Sequence, residues 1–197
     1  MTSKQIFITQ RVNINHERDE RLDALDQRMV DWVDKIGGDA IPVPNCYFDK
    51  VSIWASKLSP KAIILSGGNN IGEAPERDAT EKALLNIASS RRLPVLGICR
   101  GMQFMTLHAG GELVPVKHHV RTRHKLKNRQ GSTVNSYHEF GIETCPSGYN
   151  PIAFAEDGTI EAIIHNELPW EGWMWHPERE PIFDHIDIKR ARNLFLL

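Results

Sequence analysis

Apolar and polar positions along the chain follow two different periods in turn. Gln5–Gln10 is a short apolar run that reads as a strand. Leu22, Leu25, Met29, Trp32, Val33 and Ile36 then recur at helical spacing, with Asp23, Asp26, Asp31 and Asp34 between them. This predicts an amphipathic helix over 18–36 with a solvated acidic face, stopped by Gly37-Gly38. Ala40–Val43, Ala62–Ser66 and Pro94–Ile98 read as further strands. Pro75 opens a helix whose buried face carries Ala83, Leu84, Ile87 and Ala88, and a second helix is expected over Arg100–Ala109. The second half changes character. Thr133–Tyr137, Pro151–Glu156, Ile160–His165 and Trp173–Trp175 read as strands, with Asp157-Gly158 as a hairpin turn, and a last helix starts near His185. Strands alternating with helices predict an α/β protein with a largely parallel sheet. There is no repeat and no linker-like stretch, so residues 1–197 read as one domain.

Composition narrows the class without naming a function. Apolar residues make up 41% and charged residues 25%, ordinary for a folded soluble chain. Lys+Arg is 24 against Asp+Glu 25, so no general nucleic-acid or membrane-surface binder is expected. No run approaches the roughly 18 apolar residues of a membrane span. The opening Met-Thr-Ser-Lys-Gln lacks the features of a secretory signal. Three widely spaced cysteines, Cys46, Cys99 and Cys145, argue against a disulfide framework and point to a reducing cytoplasm.

Chemistry concentrates at Leu96-Gly97-Ile98-Cys99-Arg100-Gly101-Met102-Gln103. An apolar strand runs into Gly-x-Cys-x-Gly and then a helix, a nucleophile-elbow pattern with Cys in place of Ser. A sharp strand-to-helix turn leaves no room for Cβ atoms beside the nucleophile, and the helix N-terminus favours the thiolate. Such a nucleophile needs a base and a group to orient it. Trp175-His176-Pro177-Glu178 supplies both: in extended geometry, residues two apart share one side, so His176 faces the sulfur while Glu178 holds its tautomer. Among the remaining residues, Trp173 and Trp175 share a face and read as core packing. Cys46 reads as a small apolar filler and Cys145 as a loop thiol.

These residues resemble the class I glutamine amidotransferase superfamily, with Gly-Ile-Cys-Arg-Gly-Met-Gln and His-Pro-Glu as its specific motifs. The resemblance covers nearly the whole chain. It implies a three-layer, flavodoxin-like fold and a Cys99–His176–Glu178 triad acting on a γ-glutamyl amide through a thioester, without a cofactor. Ser66-Gly67-Gly68 is similar to the family's oxyanion loop, so the backbone amides of Gly68 and Arg100 are the expected oxyanion donors. Gln103, Ser136, Tyr137 and His138 fall at its glutamyl-binding positions. Arg77-Asp78 with Glu81, and Arg after the nucleophile, resemble the γ-glutamyl hydrolase branch.

The leaving amine is less constrained. Lys117–Arg129 contains Lys117, Arg121, Arg123, Lys125, Lys127 and Arg129 with His118, His119 and His124, and no acid. It reads either as a solvated basic loop or as a phosphate site, to which Arg11 at the mouth of the site would add. No metal site is expected, because these histidines lack carboxylates or cysteines at ligand spacing. The continuation His176-Pro177-Glu178-Arg179-Glu180 looks like small bacterial enzymes of capsular phosphoramidate synthesis, which release glutamate from γ-glutamyl-CDP-amidate and leave cytidine diphosphoramidate. Three other readings remain: a glutaminase feeding ammonia to a partner synthase, a non-enzymatic binding protein on the same fold, and a cysteine peptidase or transferase using another acyl group. The stand-alone hydrolase of a small γ-glutamyl substrate, with a nucleotide phosphoramidate as its most specific form, is favoured over the synthase partner.

Overall fold

Strand β1 (Gln5–Thr9) buries Ile6, Phe7 and Ile8 and lies between two parallel neighbours. The computed structural model describes residues 4–129 and 133–197; the Met1-Thr2-Ser3 opening read above for leader features lies outside them. After β1 come β2 (Arg11–Asn15), β3 (Glu20–Ala24), α1 (Gln27–Ile36), β4 (Asp39–Val43), α2 (Val51–Leu58), β5 (Ala62–Leu65), α3 (Pro75–Arg91), β6 (Val95–Ile98) and α4 (Arg100–His108). The second half adds β7 (Val114–Pro115), β8 (Val120–Lys125), β9 (Thr133–Tyr137), β10 (Phe140–Gly141), β11 (Tyr149–Phe154), β12 (Ile160–His165), β13 (Trp170–Trp173) and α5 (His185–Phe195).

The central sheet has seven strands in the order β11-β12-β13-β6-β5-β1-β4. β4, β1, β5, β6 and β13 are parallel, and β12 and β11 extend the β13 edge antiparallel. α1 and α5 cover one face, burying Trp32, Val33, Ile36, Ala191 and Phe195 against Ile6, Ile8, Ile64 and Leu96. α2, α3 and α4 cover the other, with Val51, Leu84, Ala88, Met102 and Met105 against Phe7, Ile63, Leu65 and Val95. This is the expected three-layer α/β arrangement, and it gathers the C-terminal ends of β1, β5 and β6, where open α/β sheets hold ligands. No helix among the described residues is long and apolar enough to cross a membrane.

Several boundaries depart from the sequence expectation. The helix expected over 18–36 begins only at Gln27, where the Asp26 side chain accepts from the Arg28 N–H. Upstream of it, β2 and β3 form a hairpin turning at Asp19, whose φ is 51°. Leu22 and Leu25 fit the helical period by coincidence, and Leu22 is exposed on that hairpin. The strand expected at Trp173–Trp175 lies earlier, at Trp170–Trp173, in register with Val95–Ile98. Its Gly172 hid it: a Cβ there would come within 2.7 Å of Met102, so packing of α4 demands glycine inside a strand. Within the basic segment, Val120–Lys125 is not loop but strand β8, paired along β9. Its outward positions are Arg121, Arg123 and Lys125, while Thr122 and His124 turn inward in place of apolar residues, so the alternation carries no hydrophobic signal. α2 carries no clear sequence signal; it buries only Val51 and Ala55. Cys46 is exposed rather than a core filler.

Candidate active site

Cys99 stands at the end of β6 with φ 51° and ψ −105°, outside the regions an L-residue adopts easily. Such a conformation costs on the order of 1–3 kcal/mol and persists only where its surroundings enforce it. Here the Cys99 N–H donates to Trp173 O at 2.7 Å, and its carbonyl accepts from the Gln103 N–H at 3.1 Å. The flanking glycines are steric necessities. A Cβ on Gly97 would lie 2.5 Å from the Met105 sulfur, and one on Gly101 would lie 2.1 Å from the Leu65 carbonyl oxygen. The sulfur therefore sits over the N-terminus of α4, whose free amides favour an anion.

His176 is buried and held from two sides. Its Nδ1 is 2.7 Å from Glu178 Oε1. The backbone between them is a short 3-10 turn over Pro177–Arg179, not the extended strand expected, and the turn swings Glu178 back to the ring. Burial works against a charged His176, but Glu178 and the Cys99 sulfur outweigh it and raise its pKa from 6.5 to about 9. Asn135 clamps the same residue through its main chain: Nδ2 donates to His176 O at 2.7 Å, and Oδ1 accepts from the His176 N–H at 3.0 Å. Tyr137, one strand period along, meets the imidazole edge-on at 5.8 Å. Gly67 supports the ring from below, since a Cβ there would sit 2.5 Å from His176 Cε1.

A buried charge network lies beneath the Ser66-Gly67-Gly68 turn. Arg77 donates from Nε to Glu81 at 2.9 Å, and from one terminal nitrogen to Ser66 O at 2.6 Å and Gly67 O at 3.1 Å. Glu81 also accepts from Thr9 Oγ1 at 2.9 Å and from the Arg100 guanidinium, which reaches Asp78 as well. Thr9 Oγ1 in turn accepts from the Ser66 N–H at 2.9 Å. In a trans peptide the carbonyl and the next N–H point in opposite directions. Pinning Gly67 O towards Arg77 therefore turns the Gly68 N–H away from Arg77. Gly68 adopts φ 97°, a conformation glycine takes freely.

A cleft of about 290 Å³ joins Cys99 to Gly68, Arg100, Gln103, Tyr137 and His138, with Glu73 and Glu139 as its acidic lining. Gln103 donates to Phe140 O at 2.8 Å. Ser136 does not line the cleft; its hydroxyl is buried and donates to His119 O at 2.6 Å. His138 lines the wall, yet both ring nitrogens are engaged elsewhere, Nδ1 at 3.0 Å from Phe140 O and Nε2 at 3.2 Å from His119 Nδ1. The expected phosphate residues stand apart from the cleft. Arg11 packs behind Gly68 and lines a small cavity with Ser66, Gly67, His176 and Glu178. Arg123 is paired with Glu180 at 3.1 Å, and Lys117, Arg121 and Lys125 are exposed around β8. Only Val120, next to Arg121, reaches the cleft.

The histidines of the basic segment meet carboxylates from another hairpin. Expecting no ligand set rested on spacing within 117–129, but the fold supplies His138 from just past β9 and Glu161 from β12. One donor atom from each of His119, His124, His138 and Glu161 lies within 4.8 Å of the others. Glu161 holds the His119 pKa above its ordinary value despite burial. Burial would raise the carboxyl of Glu161, but the imidazoles around it hold it low. Sequence reasoning named Gly67 only within the oxyanion loop, and it passed over Thr9 and the clamp made by Asn135. The i, i+4 pair Arg77 and Glu81 was visible only as a motif, and nothing local announced that its target is the Ser66-Gly67 main chain.

Comparison with known proteins places the chain. A family model for class I glutamine amidotransferases matches residues 24–184. A γ-glutamyl-CDP-amidate hydrolase of Campylobacter jejuni is 31% identical over 93% of this chain and 94% of its own length. A glutamine-hydrolysing GMP synthase of Wolinella succinogenes is 34% identical over 67% of this chain, which spans only 27% of that enzyme. A solved structure from Thermoplasma acidophilum, assigned as one of the subunits of a GMP synthase, superposes with a TM-score of 0.72 at 24% identity, covering 99% of this chain and 94% of that one.

Proposed function

The chain belongs to the class I glutamine amidotransferase family, and from that premise we propose that it acts as one domain to hydrolyse a γ-glutamyl amide through a thioester on Cys99. The Cys99 thiolate attacks the γ-carbonyl carbon. The resulting oxyanion is received by the N–H groups of Gly68 and Arg100, donors worth about 2.7–4 kcal/mol each in comparable sites. His176, protonated, gives its proton to the leaving nitrogen and the C–N bond breaks. The neutral imidazole then takes a proton from water, whose oxygen attacks the thioester. Glutamate leaves and the Cys99–His176 ion pair is restored. Glu178 fixes the imidazole throughout.

The observation that carries this reading is His176 held by Glu178 at 2.7 Å, with Glu178 and the Cys99 sulfur raising its pKa to about 9. That raised pKa keeps the imidazole charged at neutral pH, ready to give its proton to the leaving nitrogen. Gln103 and the Tyr137 and His138 wall receive the glutamyl head, with Ser136 supporting that segment from behind. Glu73 and Glu139 offer negative charge to its ammonium group.

For the leaving group we infer a nucleotide phosphoramidate: γ-glutamyl-CDP-amidate goes to glutamate and cytidine diphosphoramidate, a step in capsule modification. Its support is the Campylobacter jejuni relative matched along 94% of its length. The exposed Arg121 beside Val120 at the cleft rim adds to it, with Lys117, Lys125, Arg123 and Arg11 in the wider surroundings. The GMP synthase relatives favour a second reading, a glutaminase serving a synthase. Glutamate release by the isolated protein from L-glutamine, γ-glutamyl-γ-aminobutyrate and γ-glutamyl-CDP-amidate separates the two, with Cys99→Ala as the blank. A large preference for the nucleotide is expected. Turnover of glutamine alone, rising when a synthase is added, would replace this reading with the second.

A further inference from the structure

Behind the wall of the cleft, His119, His124, His138 and Glu161 converge on one point. His119 Nδ1 and His138 Nε2 are 3.2 Å apart, and each is 3.4 Å from Glu161 Oε1. The edge of a tetrahedron of zinc ligands, at about 2.0–2.2 Å from the metal, is about 3.3–3.6 Å. The outer atoms of two of these rings are already assigned. His119 Nε2 is 2.9 Å from Asp157 Oδ2, and His138 Nδ1 is 3.0 Å from the Phe140 carbonyl oxygen. Both partners are acceptors, so each outer nitrogen carries the hydrogen. In the neutral rings, the two inner nitrogens then present lone pairs to each other and to a carboxylate oxygen. Three acceptors meeting at 3.2–3.4 Å repel unless a cation lies among them. Both Glu161 oxygens are fully buried without a hydrogen-bond partner, and so is His124 Nε2.

We propose that this cluster binds one divalent transition-metal ion, zinc by its chemistry, through His119 Nδ1, His138 Nε2, His124 Nε2 and Glu161. Three imidazoles and one carboxylate are a borderline donor set that suits zinc. Asp157 and the Phe140 carbonyl are the outer partners that orient metal-bound histidines. Four protein ligands leave no open position, so the ion is structural. It ties the β8–β9 pair, which supplies the three histidines or adjoins them, to the β11–β12 hairpin, which supplies Glu161 and Asp157. The proposal does not depend on which substrate the cleft accepts.

The test uses tag-free wild-type protein, because a polyhistidine tag binds the same metals. Elemental analysis after gel filtration is expected to give about one zinc per chain. Stripping with a chelator should lower Tm, adding zinc should restore it, and cobalt(II) in place of zinc should give the intense visible bands of a tetrahedral site. Asp157→Asn is expected to weaken zinc binding about 10–100-fold, while Glu161→Gln and His124→Ala abolish it. Exposed His118 lies beside the cluster but outside it, so His118→Ala should keep the full equivalent. A wild-type chain that neither retains zinc nor gains Tm from it would overturn the proposal, whether or not the variants fold. Retention by both His124→Ala and Glu161→Gln, or loss in His118→Ala, would overturn it too. An alternative cluster of imidazolium and carboxylate without metal predicts that first result.

Discussion

Arg77 lies outside the Cys99–His176–Glu178 group, and its replacement by lysine is expected to slow the reaction without weakening substrate binding. One guanidinium serves two ends of a network: Nε holds Glu81 at 2.9 Å while a terminal nitrogen holds Ser66 O at 2.6 Å and Gly67 O at 3.1 Å. A lysine ammonium is a single point charge and cannot span both ends. In Arg77→Lys the charge stays with Glu81, which Arg100 also neutralises, so the buried carboxylate is not stranded. The carbonyls of Ser66 and Gly67 are released. Hydrogen bonds to a charged donor contribute about 1.5–3 kcal/mol each, so losing two removes the main bias that turns the Gly68 N–H away from Arg77. If the flipped orientation, with that N–H towards residue 77, then becomes comparable to the competent one, the rate falls with the competent fraction.

The upper bound is the loss of one oxyanion donor, about 10²–10³ in kcat. A partial loss of orientation places Arg77→Lys at about 10–100-fold lower kcat with KM within about threefold. The assay is steady-state glutamate release, with thermal melting in parallel. Arg77→Lys with wild-type kcat would refute the reasoning, because the Gly67 carbonyl would then be oriented without its help. A fall confined to KM would refute it as well, because an oxyanion donor acts in the transition state and not on bound substrate.

Other outcomes follow from distances at the same site. Gly67→Ala puts a methyl 2.5 Å from His176 Cε1, so turnover should drop at least tenfold while Tm moves little, the ring being the part that yields; unchanged kcat would mean that the imidazole has room. Gly101→Ala drives a Cβ to 2.1 Å from a backbone oxygen, which cannot retreat, so a loss of about 3 kcal/mol or more and a fall in Tm are expected by calorimetry. His176 has a folded pKa raised from 6.5 to about 9, so its pairing stabilises fully below pH 6.5 and is lost as pH rises through 9, on the order of 3 kcal/mol in all. Wild-type Tm should therefore fall more steeply than that of His176→Gln between pH 6.5 and 9.5; parallel curves would contradict the pairing. Asn135→Ala removes both bonds to the His176 main chain and should lower kcat about tenfold or more at nearly constant KM, measured by glutamate release.

Local signals carried the elements whose pattern is self-contained. The 75–91 helix, with Pro75 at its start, and the 185–195 helix, with Asp184 as its cap, follow from the chain itself. So does the elbow, because Gly97, Cys99 and Gly101 are constrained by their own turn. The hairpin β2–β3 was illegible for the opposite reason: its leucines imitate a helix, and what holds it in place is Asn69, which accepts from the Val12 N–H at 2.8 Å across 57 residues of sequence. The role of Arg77 depends on a main-chain carbonyl that is no side chain and leaves no mark in the sequence. Glu161 reads as an ordinary residue of an apolar strand until the β12 register brings it beneath three histidines from the preceding hairpin.

Strand alternation explains how β9 serves two centres. Residues two apart share a face. Asn135 and Tyr137 take one face and both meet His176, the first by its main chain and the second by its ring. Ser136 and His138 take the other face and both meet His119, by its carbonyl and by its ring. A shift of β9 by one residue would exchange these faces and lose the base clamp and the histidine cluster together. Only one register satisfies both, so whatever anchors the cluster side also fixes where Asn135 presents its amide. The cluster thus bears on catalysis through strand position and through the His138 wall of the cleft, both of whose ring nitrogens are engaged on the cluster side, and loosening it should lower kcat while leaving the charge on His176 unaltered.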